Sequence, residues 1–272
     1  MKKVVLITGI SSGFGKETAS MLANRGHIVY GTIRRDCPTD PAIHVLNMDL
    51  TQPESIDKAV SDVLLKEGRI DVLINNAGMH LGGPVEMTPP EDFKRQIDTN
   101  FNGVVHVIQK VLPAMREAGK GTIVNISSIG GLMGLPFQGF YSAAKFALEG
   151  LSEALRMELK AFNIKVVVVN PGDFKTSNTI NRKNITENGS ENPYAEQFLK
   201  TKSIFEKDET GGWHPSILAR RLCRIVENPR PKKRYIVGSF DQRMAVVLKH
   251  VLPVSAFEKI LGSYYRISAK RM

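Results

Sequence analysis

Seven short runs rich in β-branched residues recur along the chain: KVVLIT (3–8), IVYGTI (28–33), IHVLNM (43–48), DVLINN (71–76), GTIVNIS (121–127), IKVVVVN (164–170) and RYIVG (234–238). Several are apolar throughout. Strands buried on both faces of a parallel sheet need that pattern, whereas half-solvated antiparallel strands alternate. Helical patterns fall between the runs, at about 14–25, 54–67, 91–117 and 138–161. The alternation predicts an α/β fold, doubly wound around a seven-stranded parallel sheet of Rossmann type. No repeat, low-complexity tract or linker divides the 272 residues. We read 1–240 as the main domain and 241–272 as a helical C-terminal extension of it.

Composition narrows the partners. No stretch reaches the roughly 18–20 apolar residues of a membrane span. MKKVVLITGI begins with basic residues, but its apolar run breaks at Thr8-Gly9, so we expect no secretory leader. Cys37 and Cys223 have neither metal-ligand nor redox spacing, which predicts no metal site and a reduced, cytoplasmic setting. The net charge of +10 favours anionic ligands or an anionic surface. Nucleic acid is not expected, because aromatic-basic RNA motifs and zinc-finger spacings are absent.

The first run leads directly into TGISSGFG, Thr8 to Gly15, and then a helix. A phosphate-binding turn needs glycines where backbone approaches a pyrophosphate, followed by a helix N-terminus that supplies amide donors and a favourable dipole. Gly9, Gly13 and Gly15 meet that need, although their spacing is Gly-x-x-x-Gly-x-Gly rather than Gly-x-Gly-x-x-Gly. The end of the second strand should meet the adenosine ribose. An acid there suits the free hydroxyl of NAD, and an arginine suits the extra phosphate of NADP. The chain reads GTIRRD, with Ile33 at the acidic position and Arg34 after it. Arg34 can pair with phosphate bidentately and stack on adenine, and Ser12 can add a hydroxyl donor. The expected cofactor is NADP(H).

Further along, Tyr141 and Lys145 lie four residues apart on one helical face. By itself that spacing describes equally well a catalytic acid with its cationic partner or two surface residues. Residues 174–213 are polar and irregular, and their position directly after a strand end predicts a substrate lid.

Taken together, these stretches resemble the short-chain dehydrogenase/reductase family over roughly residues 3–176. The resemblance rests on TGISSGFG, DLT (49–51), NNAG (75–78), Asn100 in DTNFNG, NISS (125–128), YSAAK (141–145) and NPGDFKT (170–176), in family order. It implies a cofactor site of Gly9, Ser11, Ser12, Gly13, Phe14 and Gly15 in the turn, with Arg34 beside it. By the same resemblance Asp49 and Leu50 meet adenine, and Asn76, Ala77 and Gly78 line the adenosine side. Pro171, Gly172 and Thr176 serve the nicotinamide end, as do Tyr141 and Lys145. Ser128 precedes Tyr141 by the family's usual thirteen positions, and Ser127 is its decoy. The implied catalytic set is Asn100, Ser128, Tyr141 and Lys145.

Ketone reduction requires a hydride and a proton for the developing alkoxide. Tyr141 is the acid/base on this reading. Lys145 is expected to lower the tyrosine pKa and to hold the nicotinamide ribose. Ser128 hydrogen-bonds the substrate oxygen. Asn100 supports a proton-relay water through Lys145, as the resemblance implies.

GGLMGLPFQGFYSAAKFALEGL looks most like the hydroxysteroid and retinol dehydrogenase branch. There Met133 and Leu135, with Phe137 and Phe140, would wall a lipophilic substrate or simply pack in the core. Met79, His80 and Leu81 fall where such enzymes contact substrate; a lone loop histidine such as His80 is ordinarily surface. Long-chain ketones such as 3-ketosphinganine are further options for the substrate, alongside steroids and retinoids. A non-catalytic nucleotide-bound scaffold or redox sensor is the competing function, and the intact Ser128, Tyr141 and Lys145 set argues against it. Family members often form homo-oligomers through helices equivalent to 91–117 and 138–161.

The tail carries Met244, Val247, Leu248, Val251 and Leu252 at helical spacing, then Phe257, Ile260, Leu261 and Tyr264 after Pro253, with Lys249, Lys259, Arg266, Lys270 and Arg271 as cations. It admits two readings: packing on the domain or on a second subunit, and peripheral contact with an anionic membrane surface.

Overall fold

The computed structural model describes residues 2–185 and 192–267. In chain order the elements begin with β1 (Val4–Ile7), α1 (Gly13–Asn24), β2 (Ile28–Ile33), β3 (His44–Asn47), α2 (Pro53–Glu67), β4 (Val72–Asn75), β5 (Leu81–Gly82), α3 (Pro90–Ile97) and α4 (Gly103–Glu117). They continue with β6 (Gly121–Ile126), α5 (Gly139–Glu158), β7 (Ile164–Pro171), α6 (Asn178–Asn181), β8 (Lys183–Asn184), α7 (Ala195–Thr210), α8 (Pro215–Glu227), β9 (Arg234–Val237), α9 (Phe240–Val251) and α10 (Val254–Tyr264).

The main sheet has seven strands in the order β3-β2-β1-β4-β6-β7-β9, every neighbouring pair parallel. Side chains of successive strand residues alternate between its faces. Val4 and Leu6 therefore join Leu73 and Ile123 in one core with residues of α2, α4 and α5. Val5 and Ile7 join Ile74, Val124 and Val167 in a second core with residues of α1 and α8. Two buried faces explain why these strands read as continuous apolar runs. The order reverses between β1 and β4, the position where an open α/β sheet leaves a crevice at its carboxyl edge.

Four features depart from the sequence expectation. The helix expected over 91–117 is interrupted by a π-helical turn, Asp98–Asn102, between α3 and α4. Helix α8 was not foreseen, although His214 caps it, Pro215 occupies its first turn, and Leu218, Leu222, Ile225 and Val226 are buried. The segment 174–213, expected to be irregular, carries regular elements over its described residues, with 186–191 outside them. It contains α7, pairs β8 with β5 in a small parallel sheet, and bridges Phe174 to Trp213. The tail forms two helices broken before Pro253, and it splits its apolar residues between two faces. Val246, Phe257 and Tyr265 are buried, and Leu248, Leu252 and Leu261 pack with them. Met244, Val247, Val251, Ile260 and Tyr264 face outward. Lys270 and Arg271 lie outside the described residues.

Candidate active site

A cavity of about 630 Å³ runs along the carboxyl edge of the sheet, within the usual range for small-ligand sites. At one end it is walled by the turn after β1. Gly9 has φ +72° and Gly13 φ +57°, a left-handed region that side chains disfavour. A Cβ on Gly9 would fall 2.8 Å from that of Ala77, and one on Gly15 would fall 2.1 Å from the Gly9 carbonyl oxygen. The glycines thus let the β1 and β4 turns close on each other. Asn76 ties them, its Nδ2 donating to the carbonyls of Thr8 (3.0 Å) and Gly9 (2.7 Å), while the Thr8 hydroxyl accepts from the amides of Asn76 and Ala77.

Ser11, Ser12, Gly13, Phe14, Arg34, Arg35, Asp49, Leu50, Asn76, Ala77 and Gly78 line this end of the cavity. The N-terminus of α1 opens into the same region with Ser12 as its cap residue. A glycine cradle, free helix amides and two exposed arginines fit a dinucleotide carrying phosphate on both its bridge and its ribose. Ile33 closes β2 at 5% exposure and belongs to the core, so the ribose side offers no carboxylate at that position. Gly15 lies behind the turn, where it shapes the turn without lining the cavity.

At the other end stand Asn100, Ser128, Tyr141 and Lys145, all lining the cavity together with Pro171, Gly172 and Thr176. Ser128 follows β6 and accepts from the amide of Gly130 (3.0 Å), and its side chain hydrogen-bonds Tyr141. Asn170 holds it from beneath, donating to the Ser128 carbonyl (2.9 Å) and to Glu149 (2.6 Å), which Arg234 also bonds. Ser127 also borders the cavity, but its hydroxyl is buried and has no hydrogen-bond partner among the described residues. Asn100 sits in the π-helical turn, where such an irregularity re-aims a side chain. Its amide donates to the Met79 carbonyl (2.9 Å) and accepts from the Met79 amide (2.8 Å).

The electrostatics of the tyrosine–lysine pair differ from the expectation. Burial pushes Tyr141 up to about 12, and the Ser128 hydrogen bond opposes it. Burial also lowers Lys145 to about 8, with the Glu149 carboxylate working against that fall. The ammonium donates to the Ile126 carbonyl (2.8 Å) and lies 5.8 Å from the centre of the Tyr141 ring. Desolvation is the largest influence on both groups.

His80 is the largest surprise. It is buried, its ring stacks on Tyr141 at 3.8 Å between centroids, and its Nε2 meets Gln138 Oε1 at 2.6 Å. Burial, reinforced by Arg182 near its Nδ1, drives its pKa well below 6.5, so the ring is neutral. Arg182 is itself buried, bonds Glu209 and lies over the Phe205 ring. Asp173, Phe205, Glu209 and Tyr265 complete the substrate end. Sequence reasoning missed Arg182, Phe205, Glu209 and Tyr265 because they come from the polar 174–213 segment and the tail, where no motif marks them, and it gave Asp173 no role although NPGDFKT contains it. Of the expected apolar wall, Leu135 lines the cavity, whereas Met133 does not: at 2% exposure it packs under the tail with Val246 and Phe257. Phe140 stacks on Phe93 and Phe137 packs on Phe198. Leu81 is buried in β5.

Residues 3–187 match the family model for short chain dehydrogenases. The chain belongs to the short-chain dehydrogenase/reductase family. It is an oxidoreductase of that family, and the similarity extends beyond the matched region. It is 48% identical over 266 residues to the 3-ketodihydrosphingosine reductase of Bacteroides thetaiotaomicron, covering 97% of this chain and 98% of that one. It is 29% identical to the NADPH-dependent 3-dehydrocapnine reductase of Ornithobacterium rhinotracheale, covering 95% of each. Among solved structures, a short-chain dehydrogenase from Streptomyces avermitilis superposes with a TM-score of 0.80 at 31% identity, over 98% of each chain.

Proposed function

We propose that the protein reduces the ketone of a long-chain lipid with hydride from NADPH, and that an α-amino ketone of the 3-ketodihydrosphingosine type is its substrate. The observation that carries the reading is one cavity holding Ser128, Tyr141 and Lys145 at one end and Arg34 and Arg35 at the other. Asp173 and Glu209 line the catalytic end, Glu209 paired with Arg182. The 48% identity to a 3-ketodihydrosphingosine reductase supports the α-amino ketone as substrate.

The bound cofactor supplies the hydride; the chain's own residues handle the oxygen and the proton. The Ser128 hydroxyl donates to the substrate oxygen and stabilises its developing charge. Tyr141 gives up the phenolic proton. With its pKa pushed up to about 12 by burial, Tyr141 keeps that proton at neutral pH and is in the form that can donate it. His80, stacked on Tyr141 and tied to Gln138, fixes the phenol ring in position. Lys145 would hold the nicotinamide ribose, and Asn100 holds the Met79 backbone and would support a proton-relay water through Lys145.

The same reading gives the tail two tasks. Its inner face packs on the domain. Phe240, Met244, Val247 and Val251 form an outward stripe on α9, exposed by 38–69%, with Lys249 and Arg243 on the same helix. Such a stripe suits peripheral contact with an anionic membrane, where a lipid ketone resides. Among the described residues no helix is long and apolar enough to cross a membrane.

The test is a panel of 3-ketodihydrosphingosine, steroid ketones, retinal and small water-soluble ketones, assayed by NADPH consumption. The lipid amino ketone should give the highest kcat/KM. A steroid or retinoid preferred over it would displace this reading.

A further inference from the structure

Beside the catalytic cavity lies a second groove of about 770 Å³, bounded by the loop after β5, the loop before α5, and α10. Pro84, Val85, Pro136, Phe137, Leu261 and Ile267 make its lining mostly apolar, and Glu86, Tyr194 and Glu258 also border it, the Tyr194 hydroxyl donating to Glu86 (2.5 Å). Val85 and Ile267 are left 60% and 39% exposed at its wall, unusual for large apolar side chains with a cleft between them. Leu135 lines both this groove and the catalytic cavity. On its inner side it packs with Phe198, Phe205 and Tyr265, and the latter two also line the cavity.

The loop that carries this shared wall is held in a costly conformation. Phe137 has φ +57°, where a bulky side chain crowds its own backbone. It is kept there by its carbonyl, which accepts from the Gly83 amide (2.7 Å), and by its ring against Phe198. Gly134 and Gly262 leave the groove open: a Cβ on Gly134 meets nothing within 4 Å, and one on Gly262 meets only Ile267 at 3.8 Å.

We propose that this groove is the binding site for the alkyl chain of the substrate, which passes Leu135 from the carbonyl site and lies between the Pro136–Phe137 loop and α10. The occupant follows from the wall at Leu135 that the groove shares with the catalytic cavity and from a lining that is mostly apolar, its carboxylates Glu86 and Glu258 lying exposed to solvent. The inference rests on the reductase reading of the cavity and adds the determinant of chain length. It also gives α10 a function in recognition, because Leu261 and Ile267 form one side of the groove.

The test uses α-amino ketones with saturated chains of about 6 to 18 carbons, below their micelle concentrations, with NADPH. In the wild-type protein kcat/KM should climb with length by up to about fourfold per methylene buried. Gly134→Leu and Gly262→Leu fill the groove from opposite sides. Both should keep short-chain kcat/KM within about twofold and lose roughly 10- to 100-fold on the longest chain. Equal losses at all lengths, or an unchanged length profile, would overturn the groove assignment while leaving the reductase reading intact. Calorimetric binding of a long-chain amino alcohol, with and without each substitution, reads the groove independently of turnover. Unaltered affinity in both variants would also overturn it. Absence of turnover on every ketone, with long-chain binding still weakened by the substitutions, would instead count against the reductase reading alone.

Discussion

Asp173 follows β7 in the NPGDFKT stretch, and burial pushes its carboxyl up to about 7, with Asp208 and Glu209 adding repulsion. The Gln242 amide that donates to it, and Arg182, oppose the rise without cancelling it. In the unfolded chain the group ionises near its ordinary 3.8. Between those values the folded protein holds a proton that the unfolded chain has released, so stability falls as pH rises through that window and levels off above about 7. Each pH unit of displacement is worth about 1.4 kcal/mol, which gives about 4 kcal/mol at pH 8. Solvent still reaches part of the residue, and roughly 2–4 kcal/mol is the effect we expect to measure. Asp173→Asn removes the titration and keeps an oxygen to accept from Gln242. The variant should match wild type near pH 4 and exceed it by that amount at pH 8, which corresponds to a rise in Tm of roughly 5–10 °C. Urea melts of both proteins from pH 4 to pH 9 provide the assay. Other carboxylates cancel in the difference. Parallel stability curves, or a variant less stable than wild type at pH 8, would refute the reasoning.

Tyr141→Phe keeps the ring stacked on His80 and removes the proton, so turnover should fall by about 10² to 10⁴ while NADPH affinity, read by fluorescence titration, changes little. Arg34→Ala should weaken NADPH binding by about tenfold or more and leave NADH nearly untouched, since only NADPH carries the ribose phosphate; equal losses with both would remove Arg34 from that role. Alcohol oxidation needs the Tyr141 phenolate, and with a pKa of about 12 its initial rate should rise about tenfold per pH unit across neutral pH, whereas ketone reduction should not gain. Val247→Asp with Val251→Asp should abolish salt-sensitive sedimentation with anionic vesicles and leave the melting temperature unchanged, both positions being more than half exposed.

Local chemistry made much of this protein legible from sequence. The apolar runs of β1, β4 and β7 specify a sheet covered on both faces, because buried strands have no polar side to show, whereas the edge strand β3 is largely exposed. Gly9, Gly13 and Gly15 announce the cofactor turn, because Gly9 and Gly13 take a positive φ that side chains disfavour and because Gly9 approaches Ala77, and Gly15 the Gly9 carbonyl, more closely than a Cβ allows. The four-residue interval of Tyr141 and Lys145 places both on one face of α5, and helical geometry alone guarantees that. What the sequence could not carry are quantities set by distant parts of the chain. His80 is a loop residue by sequence, and it becomes a buried neutral ring only because Arg182 and Gln138, 102 and 58 positions away, close around it. Met133 lies in the expected wall segment but turns under α9 and α10, while Leu135, two residues on, reaches the cavity. The pKa of Tyr141 follows the same rule: sequence named its cationic neighbour, but burial by the assembled fold decided which way the proton is held. Desolvation depends on everything that surrounds a group, and that exists only once the chain has folded.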